Sequence, residues 1–237
     1  MDRLYIVMPA YNEAETLESV ISEWHPVAQQ INSEGDFCRI LIADDGSTDA
    51  TWEILSRCRE RYPLLECTRK ENSGHGPTVL HLYALCLERG ADYIFQTDSD
   101  GQTIPSEFLP LWRSRGDFDV QTGSRPRRGD GLFRLVVSRG LRLSIKLVTG
   151  LDVKDANSPF RLYSASALAR ILPEVPSDFF LSNVAVSVIA VSKGFRIGWP
   201  EVSFRPRRGG TSMYNARKIL GYGRQCFSDL VKLSRKI

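Results

Sequence analysis

Two carboxylates and an amide stand at the end of a short apolar run, Tyr93-Ile94-Phe95-Gln96-Thr97-Asp98-Ser99-Asp100-Gly101-Gln102. Read as a buried strand running into extended chain, the alternation puts Asp98, Asp100 and Gln102 on one side. Three oxygen donors at a strand end suit a hard divalent cation such as Mg²⁺ or Mn²⁺, above all one that also holds phosphates. An isolated D-x-D reads first as a solvated acidic turn. Its surroundings in this chain argue otherwise.

The flanking pattern alternates strand and helix. Leu4–Met8 reads as a strand followed by Pro9-Ala10-Tyr11-Asn12-Glu13 and a helix to about Gln30. Arg39–Ala43 leads into Asp44-Asp45-Gly46-Ser47-Thr48-Asp49 and a helix to about Arg61. Leu65–Thr68 reads as a third strand, Asn72–Gly76 as a loop, and Thr78 to Arg89 as a helix. Such an order gives a mostly parallel sheet with helices on both faces. Ligands bind at the C-terminal strand ends of such sheets, so one cleft should collect all these loops.

The second half is less regular. Asp119–Thr122 reads as a strand, residues 132–149, 164–171 and 181–193 as helices, and Phe195–Trp199 with Val202–Phe204 as extended chain. Residues 214–237 form a basic amphipathic helix pattern in which Ile219, Leu220, Cys226, Phe227, Leu230 and Val231 recur at helical spacing.

Composition bounds the setting. The 237 residues suffice for one substantial domain. Five cysteines, an odd number without C-x-x-C spacing, read as reduced thiols of a cytosolic compartment. The amino terminus enters a strand directly, which is not the pattern of a signal peptide, and no run reaches the ~18 apolar residues of a membrane span. Charge is segregated. Residues 125–146 hold seven Arg/Lys against Asp130, and residues 205–237 hold nine against Asp229. These segments carry +14, so the rest carries −11 of the net +3. That pattern implies an anionic partner on one face: nucleic acid, phospholipid or a phosphorylated substrate.

Taken in order, the motifs resemble those of the family 2 glycosyltransferases, the inverting nucleotide-sugar enzymes of GT-A fold. The likeness is greatest to the dolichyl-phosphate mannose synthases and bacterial polyprenyl-phosphate glycosyltransferases. It rests on Met8–Glu13, Ile42–Thr51, Asn72-Ser73-Gly74-His75-Gly76, Asp98–Gln102, Gly123-Ser124-Arg125, Arg134-x-x-x-Ser138-Arg139-Gly140, Asp155–Arg161 and Arg207-Arg208-Gly209-Gly210-Thr211-Ser212. The resemblance implies a GT-A domain over 1–237. Residues 1–123 would bind the nucleotide sugar, 124–213 would face the acceptor, and 214–237 would form the carboxy-terminal helix. It implies that Pro9, Tyr11, Glu13, Asp45, Asn72, Gly74 and Asp98 bind the donor, GDP-mannose, UDP-glucose or UDP-GlcNAc. Asp98, Asp100 and Gln102 would hold Mg²⁺ or Mn²⁺. Arg125, Arg134, Ser138, Arg207, Arg208 and Ser212 would receive the phosphate of a polyprenyl acceptor. Residues 132–149 and 214–237 would be interface helices at the cytoplasmic membrane surface, alone or with a separate anchor subunit, and no nucleic acid is expected. Met213 replaces the lysine usual in the last motif, with Arg207 or Arg208 as the substitute cation, and Pro159 replaces a usual glycine.

The chemistry agrees with these types. A leaving diphosphate gains negative charge, which a cation held by Asp98 and Asp100 stabilises. A lipid monophosphate is already a nucleophile, so catalysis needs positioning and charge neutralisation, for which the fork of Arg125 is suited. A sugar or small-molecule hydroxyl acceptor would instead require a base, and Asp155 is the candidate. A reading of another class is a non-catalytic basic adaptor for membrane or nucleic acid, with the acidic motifs as turns and helix caps. His75 has no metal-ligand spacing with the other two histidines and reads as a loop residue.

Overall fold

The computed structural model describes residues 1–124, 132–206 and 216–237, with side chains from residue 137 in the second stretch and from 221 in the third. In β1 (Arg3–Ala10), Leu4, Ile6 and Met8 face one core, while Tyr5 and Val7 face another. In β2 (Phe37–Asp44), Cys38, Ile40 and Ile42 face the first, and Leu41 and Ala43 the second. Period-2 alternation of apolar residues with apolar residues makes a sheet that must be covered on both faces.

Helices supply both covers. On the first face lie α1 (Leu17–Ser33), α2 (Thr51–Arg61) and α4 (Phe108–Arg113). In α1, Leu17, Val20, Ile21, Trp24, Ala28 and Ile31 recur at helical spacing and are buried. Trp24 packs against Phe95, Phe108 and Phe160 at centroid distances of 5.4, 6.2 and 6.5 Å. On the second face lie α3 (His75–Glu88), α6 (Ala165–Ile171) and α7 (Ser182–Ser192). Beside them α5 (Leu132–Thr149) packs on α8 (Ala216–Ser234).

The sheet has seven strands in the order β3-β2-β1-β4-β6-β5-β7, with β3 at Leu65–Arg69, β4 at Tyr93–Gln96, β5 at Val120–Thr122, β6 at Arg161–Ser164 and β7 at Ile197–Gly198. Only β6 runs antiparallel to its neighbours among the described residues. The mostly parallel α/β sheet flanked by helices is therefore the observed architecture. Strand order turns back between β1 and β4, the switch point where such sheets bind ligands.

Three local expectations change. Arg161, read as the end of a loop motif, opens β6. The Asn72–Gly76 loop is shorter than expected, because α3 starts at His75 rather than Thr78. Asp98, Asp100 and Gln102 do not alternate along extended chain: β4 stops at Gln96, and the chain turns through residues 99–101 with Gly101 at φ +73°.

Candidate active site

The turn after β4 is built by short-range hydrogen bonds. Asp100 Oδ1 accepts from the Gln102 amide at 3.0 Å, and the Thr97 and Thr103 hydroxyls meet at 2.8 Å beneath it. An Asx-type turn offers the backbone a local partner that extended chain lacks, which is why the carboxylates do not alternate. Asp98 and Asp100 stay half-buried and reach the cleft. Gln102 donates from Nε2 to the Arg205 carbonyl at 3.3 Å, so its amide oxygen is the end left to face a cation.

Ser99, buried between the two aspartates, ties this turn to the first strand-end loop. Its hydroxyl donates to the Pro9 carbonyl at 2.8 Å, and Thr16 Oγ1 donates to the Ser99 carbonyl at 3.3 Å and to Glu13 Oε2 at 3.0 Å. Pro9 is buried at the end of β1, and Tyr11 beyond it is exposed. Asn12, at φ +54°, accepts from the Thr48 amide at 2.9 Å and donates from its own amide to Ser47 Oγ at 3.0 Å. The Glu13 amide donates to Thr51 Oγ1 at 2.9 Å.

The second and third loops are joined through Asp45. Its Oδ1 accepts from Lys70 Nζ at 2.6 Å and from the Ser73 amide at 3.0 Å; its Oδ2 accepts from the Gly74 amide at 2.8 Å. Burial opposes the charge, but the bonds from Lys70, Ser73, Thr78 and Gly74 outweigh it and hold the carboxyl below the usual range. Asp44, fully buried, pairs with Arg69 at 3.0 Å. Gly46, at φ +68°, is needed because a Cβ there would meet the Asn72 backbone nitrogen at 2.8 Å. Asn72 itself is exposed, and Gly74 takes φ +92° to start α3.

That start places His75, the first residue of α3, over the metal-type turn. Its Nε2 lies 3.1 Å from Asp98 Oδ1, with the ring 54% exposed. Desolvation works against the charged ring, yet the Asp98 hydrogen bond and the charges of Asp98, Asp100 and Asp45 raise its pKa. Gly76 follows, packed so closely on α7 that a Cβ would meet Ser182 Oγ at 2.4 Å.

On the acceptor side, Asp155 is half-buried in the loop before β6. Arg161 holds that loop: fully buried, it donates to the carbonyls of Ser158, Ala156 and Asn183, to Ser187 Oγ at 2.7 Å and to Tyr163 at 3.3 Å. Ser138 lies on α5, half-buried. Arg134 lies on the same helix, its side chain outside the described residues, as are Arg125, Arg207, Arg208, Ser212 and Met213.

The structure thus brings the first three strand-end loops and Asp98–Gln102 to one rim. Sequence reading missed Lys70, Ser99, Thr16 and the reach of His75. For Ser99, its place inside the D-x-D was the available signal. Lys70 gave none, because its partner lies 25 residues earlier. Among the described residues no three His, Cys, Asp or Glu side chains close into a ready-made metal cage. A cation shared with phosphates needs only one or two carboxylates plus water, so the two half-exposed aspartates and the Gln102 amide fit Mg²⁺ or Mn²⁺.

Comparison with known proteins identifies the family and the fold. Residues 5–172 match the profile described as "Glycosyl transferase family 2". Polyprenol monophosphomannose synthase of Mycolicibacterium smegmatis is 25% identical over 228 residues, covering 92% of this chain and 83% of that protein. An undecaprenyl-phosphate 4-deoxy-4-formamido-L-arabinose transferase of Pseudomonas paraeruginosa is 26% identical over 221 residues, 93% of this chain but 62% of its own length. The chain spans 36% of glycosyltransferase AglD of Haloferax volcanii, at 27% identity. Among solved structures, glucosyl-3-phosphoglycerate synthase from Mycobacterium tuberculosis with Mn²⁺, uridine-diphosphate and phosphoglyceric acid superposes with a TM-score of 0.71 at 19% identity, over 98% of this chain and 78% of that one. The chain belongs to glycosyl transferase family 2 and is a glycosyltransferase of GT-A fold.

Proposed function

We propose that this glycosyltransferase inverts the anomeric centre while moving a hexose, mannose or glucose, from a nucleotide sugar to a polyprenyl or dolichyl phosphate at the cytoplasmic membrane face. Residues 1–237 act as one domain in this reading. The observation that carries it is the rim of three hydrogen-bonded strand-end loops around Asp98 and Asp100, on a chain that also presents α5 and α8. The similarity to a polyprenol monophosphomannose synthase supports the acceptor class.

In this reading Pro9, Tyr11 and Glu13 receive the base and ribose, with Asn72 and Gly74 on the opposite wall. Asp45 acts from behind that wall, since its oxygens already accept from Lys70, Ser73 and Gly74. Asp98, Asp100 and Gln102 would hold Mg²⁺ or Mn²⁺, which when bound supplies Lewis-acid stabilisation of the leaving diphosphate. Arg125, Arg134, Ser138, Arg207, Arg208 and Ser212 receive the acceptor phosphate and neutralise the approach of two polyanions. An ionised phosphate needs no base, and with a hydroxyl acceptor Asp155 would supply one.

Supporting the membrane setting, α5 exposes Leu143 and Leu147 beside Arg142 and Lys146, and α8 exposes Phe227 beside Arg224. Among the described residues no helix is long and apolar enough to cross a membrane. Apolar and basic side chains on such helices suit residence at an anionic lipid surface. The test is transfer of labelled sugar from GDP-mannose, UDP-glucose and UDP-GlcNAc to polyprenyl phosphate, with and without EDTA. EDTA-sensitive product that persists in Asp155→Asn is expected. Absence of lipid-linked product with all three donors sinks the lipid reading, and loss of turnover in Asp155→Asn moves the assignment to a hydroxyl acceptor.

A further inference from the structure

We propose that His75 is a protein ligand of the divalent cation, binding through Nε2 next to Asp98 Oδ1. The proposal rests on the metal-dependent reading above and adds a nitrogen to its oxygen donor set. Geometry carries it. Ligand atoms at adjacent corners of an octahedron with bonds of about 2.1 Å stand about 3.0 Å apart. Nε2 and Oδ1 stand 3.1 Å apart. The same distance suits an Nε2–H donating to the carboxylate, so the two arrangements differ in whether a proton or a cation lies between these atoms.

The backbone delivers the ring to this place by fixed means. Gly74 at φ +92° turns the third loop into α3, and Asp45 anchors the Ser73 and Gly74 amides just before it. Gly76, against Ser182, sets the height of the helix start. His75 is held between these two anchors. The ring is 54% exposed and the Asp98 side chain 29% exposed, so both can be reached from the cleft.

The chemical consequence is selectivity. Mg²⁺ prefers oxygen ligands and retains its waters, whereas Mn²⁺, though also served by oxygen donors, accepts an imidazole nitrogen more readily. A site in which His75 joins Asp98, Asp100, the Gln102 amide, phosphate oxygens and water therefore favours Mn²⁺ over Mg²⁺ more than the oxygen donors alone would. With Asp98 and diphosphate oxygens kept, replacing His75 leaves a working but less selective site.

The test reads the metal directly. Mn²⁺ is added to the full-length chain with UDP or GDP, and pulsed EPR looks for ¹⁴N modulation from a directly bound nitrogen. Wild type should show it, and labelling with ¹⁵N-histidine should change the pattern. His75→Gln should still bind Mn²⁺ with nucleotide, without the modulation, and the ratio of Mn²⁺ to Mg²⁺ affinity should fall about tenfold. Bound Mn²⁺ with no histidine coupling in wild type, or coupling that persists in His75→Gln, overturns the assignment of His75 alone. Failure of wild type to bind Mn²⁺ in the presence of nucleotide overturns both this assignment and the metal-dependent reading.

Discussion

Gln102 and Arg205 hold each other by their backbones and one side chain: the Arg205 amide donates to the Gln102 carbonyl at 2.7 Å, and Gln102 Nε2 donates back to the Arg205 carbonyl at 3.3 Å. Arg205 Nη1 also reaches Glu23 Oε2 on α1 at 2.9 Å. The root of the last basic motif is thereby fastened to the carboxylate turn, 103 residues away in sequence. Arg205→Leu removes only a partly exposed ion pair, so it should cost about 0.2–1 kcal/mol of stability. Gln102→Ala removes an anchor and, in the proposed metal-dependent reading, an oxygen donor to the cation, and should lower kcat well beyond its effect on melting temperature. Equal losses in stability and turnover for the two variants would show that the pair is a fold contact alone.

The Lys70–Asp45 pair predicts a pH dependence. The Asp45 carboxyl is held below its usual pKa, so its contribution is present above about pH 4 and is lost as pH falls through its folded value. Asp45→Asn should therefore be less stable than wild type at neutral pH by about 1–3 kcal/mol, with the gap closing in acid. Lys70→Met should leave Asp45 buried with only the neutral donors of Ser73, Gly74 and Thr78 and cost a similar amount. It should also weaken nucleotide binding, because the Ser73–Gly74 wall loosens. Chemical denaturation at pH 7 and below pH 4 checks the sign, and a gap that widens in acid would contradict it.

The contact between Gly76 and Ser182 reverses an ordinary expectation. Replacing a helix glycine by alanine usually stabilises by about 1 kcal/mol. Here the new Cβ would meet Ser182 Oγ at 2.4 Å. Gly76→Ala should instead destabilise by about 1–3 kcal/mol, and adding Ser182→Gly should recover most of that loss. Thermal melts of the two single variants and the double variant close the cycle.

What was legible in the sequence was what short-range pattern decides. The runs of β1 and β2 announce a two-sided sheet because residues of both parities are apolar, and α5 begins and ends where its apolar spacing does. The strand-end loops were legible because Gly and Asp fall where apolar runs stop. Strand β6 was not, since Arg161 opens it as a buried cation whose acceptors are scattered carbonyls and two hydroxyls. The Asp98–Gln102 turn was not, because alternation assumes extended chain and Gly101 takes a positive φ. Lys70 and His75 were not, because each earns its place from a partner 25 or 23 residues distant.

The α5–α8 pair gives the prediction on membrane contact. Ile145 on α5 and Cys226, Leu230 and Leu233 on α8 are buried in the core, whereas Leu143 and Leu147 on α5 and Phe227 on α8 point outward at 57%, 74% and 48% exposure. Side chains of this size left about half exposed or more, among Arg142, Lys146 and Arg224, carry little packing energy within the chain. Leu147→Glu and Phe227→Glu should accordingly change folding stability by less than about 0.5 kcal/mol. Each removes apolar area from a lipid contact and adds repulsion toward anionic headgroups. Binding to vesicles containing anionic phospholipid should fall by an order of magnitude or more in the double variant, measured by sedimentation, and salt should weaken the wild type in the same assay. Transfer to a short-chain, water-soluble prenyl phosphate should stay near wild type. If vesicle binding survives both substitutions, these outward side chains are not the membrane contact.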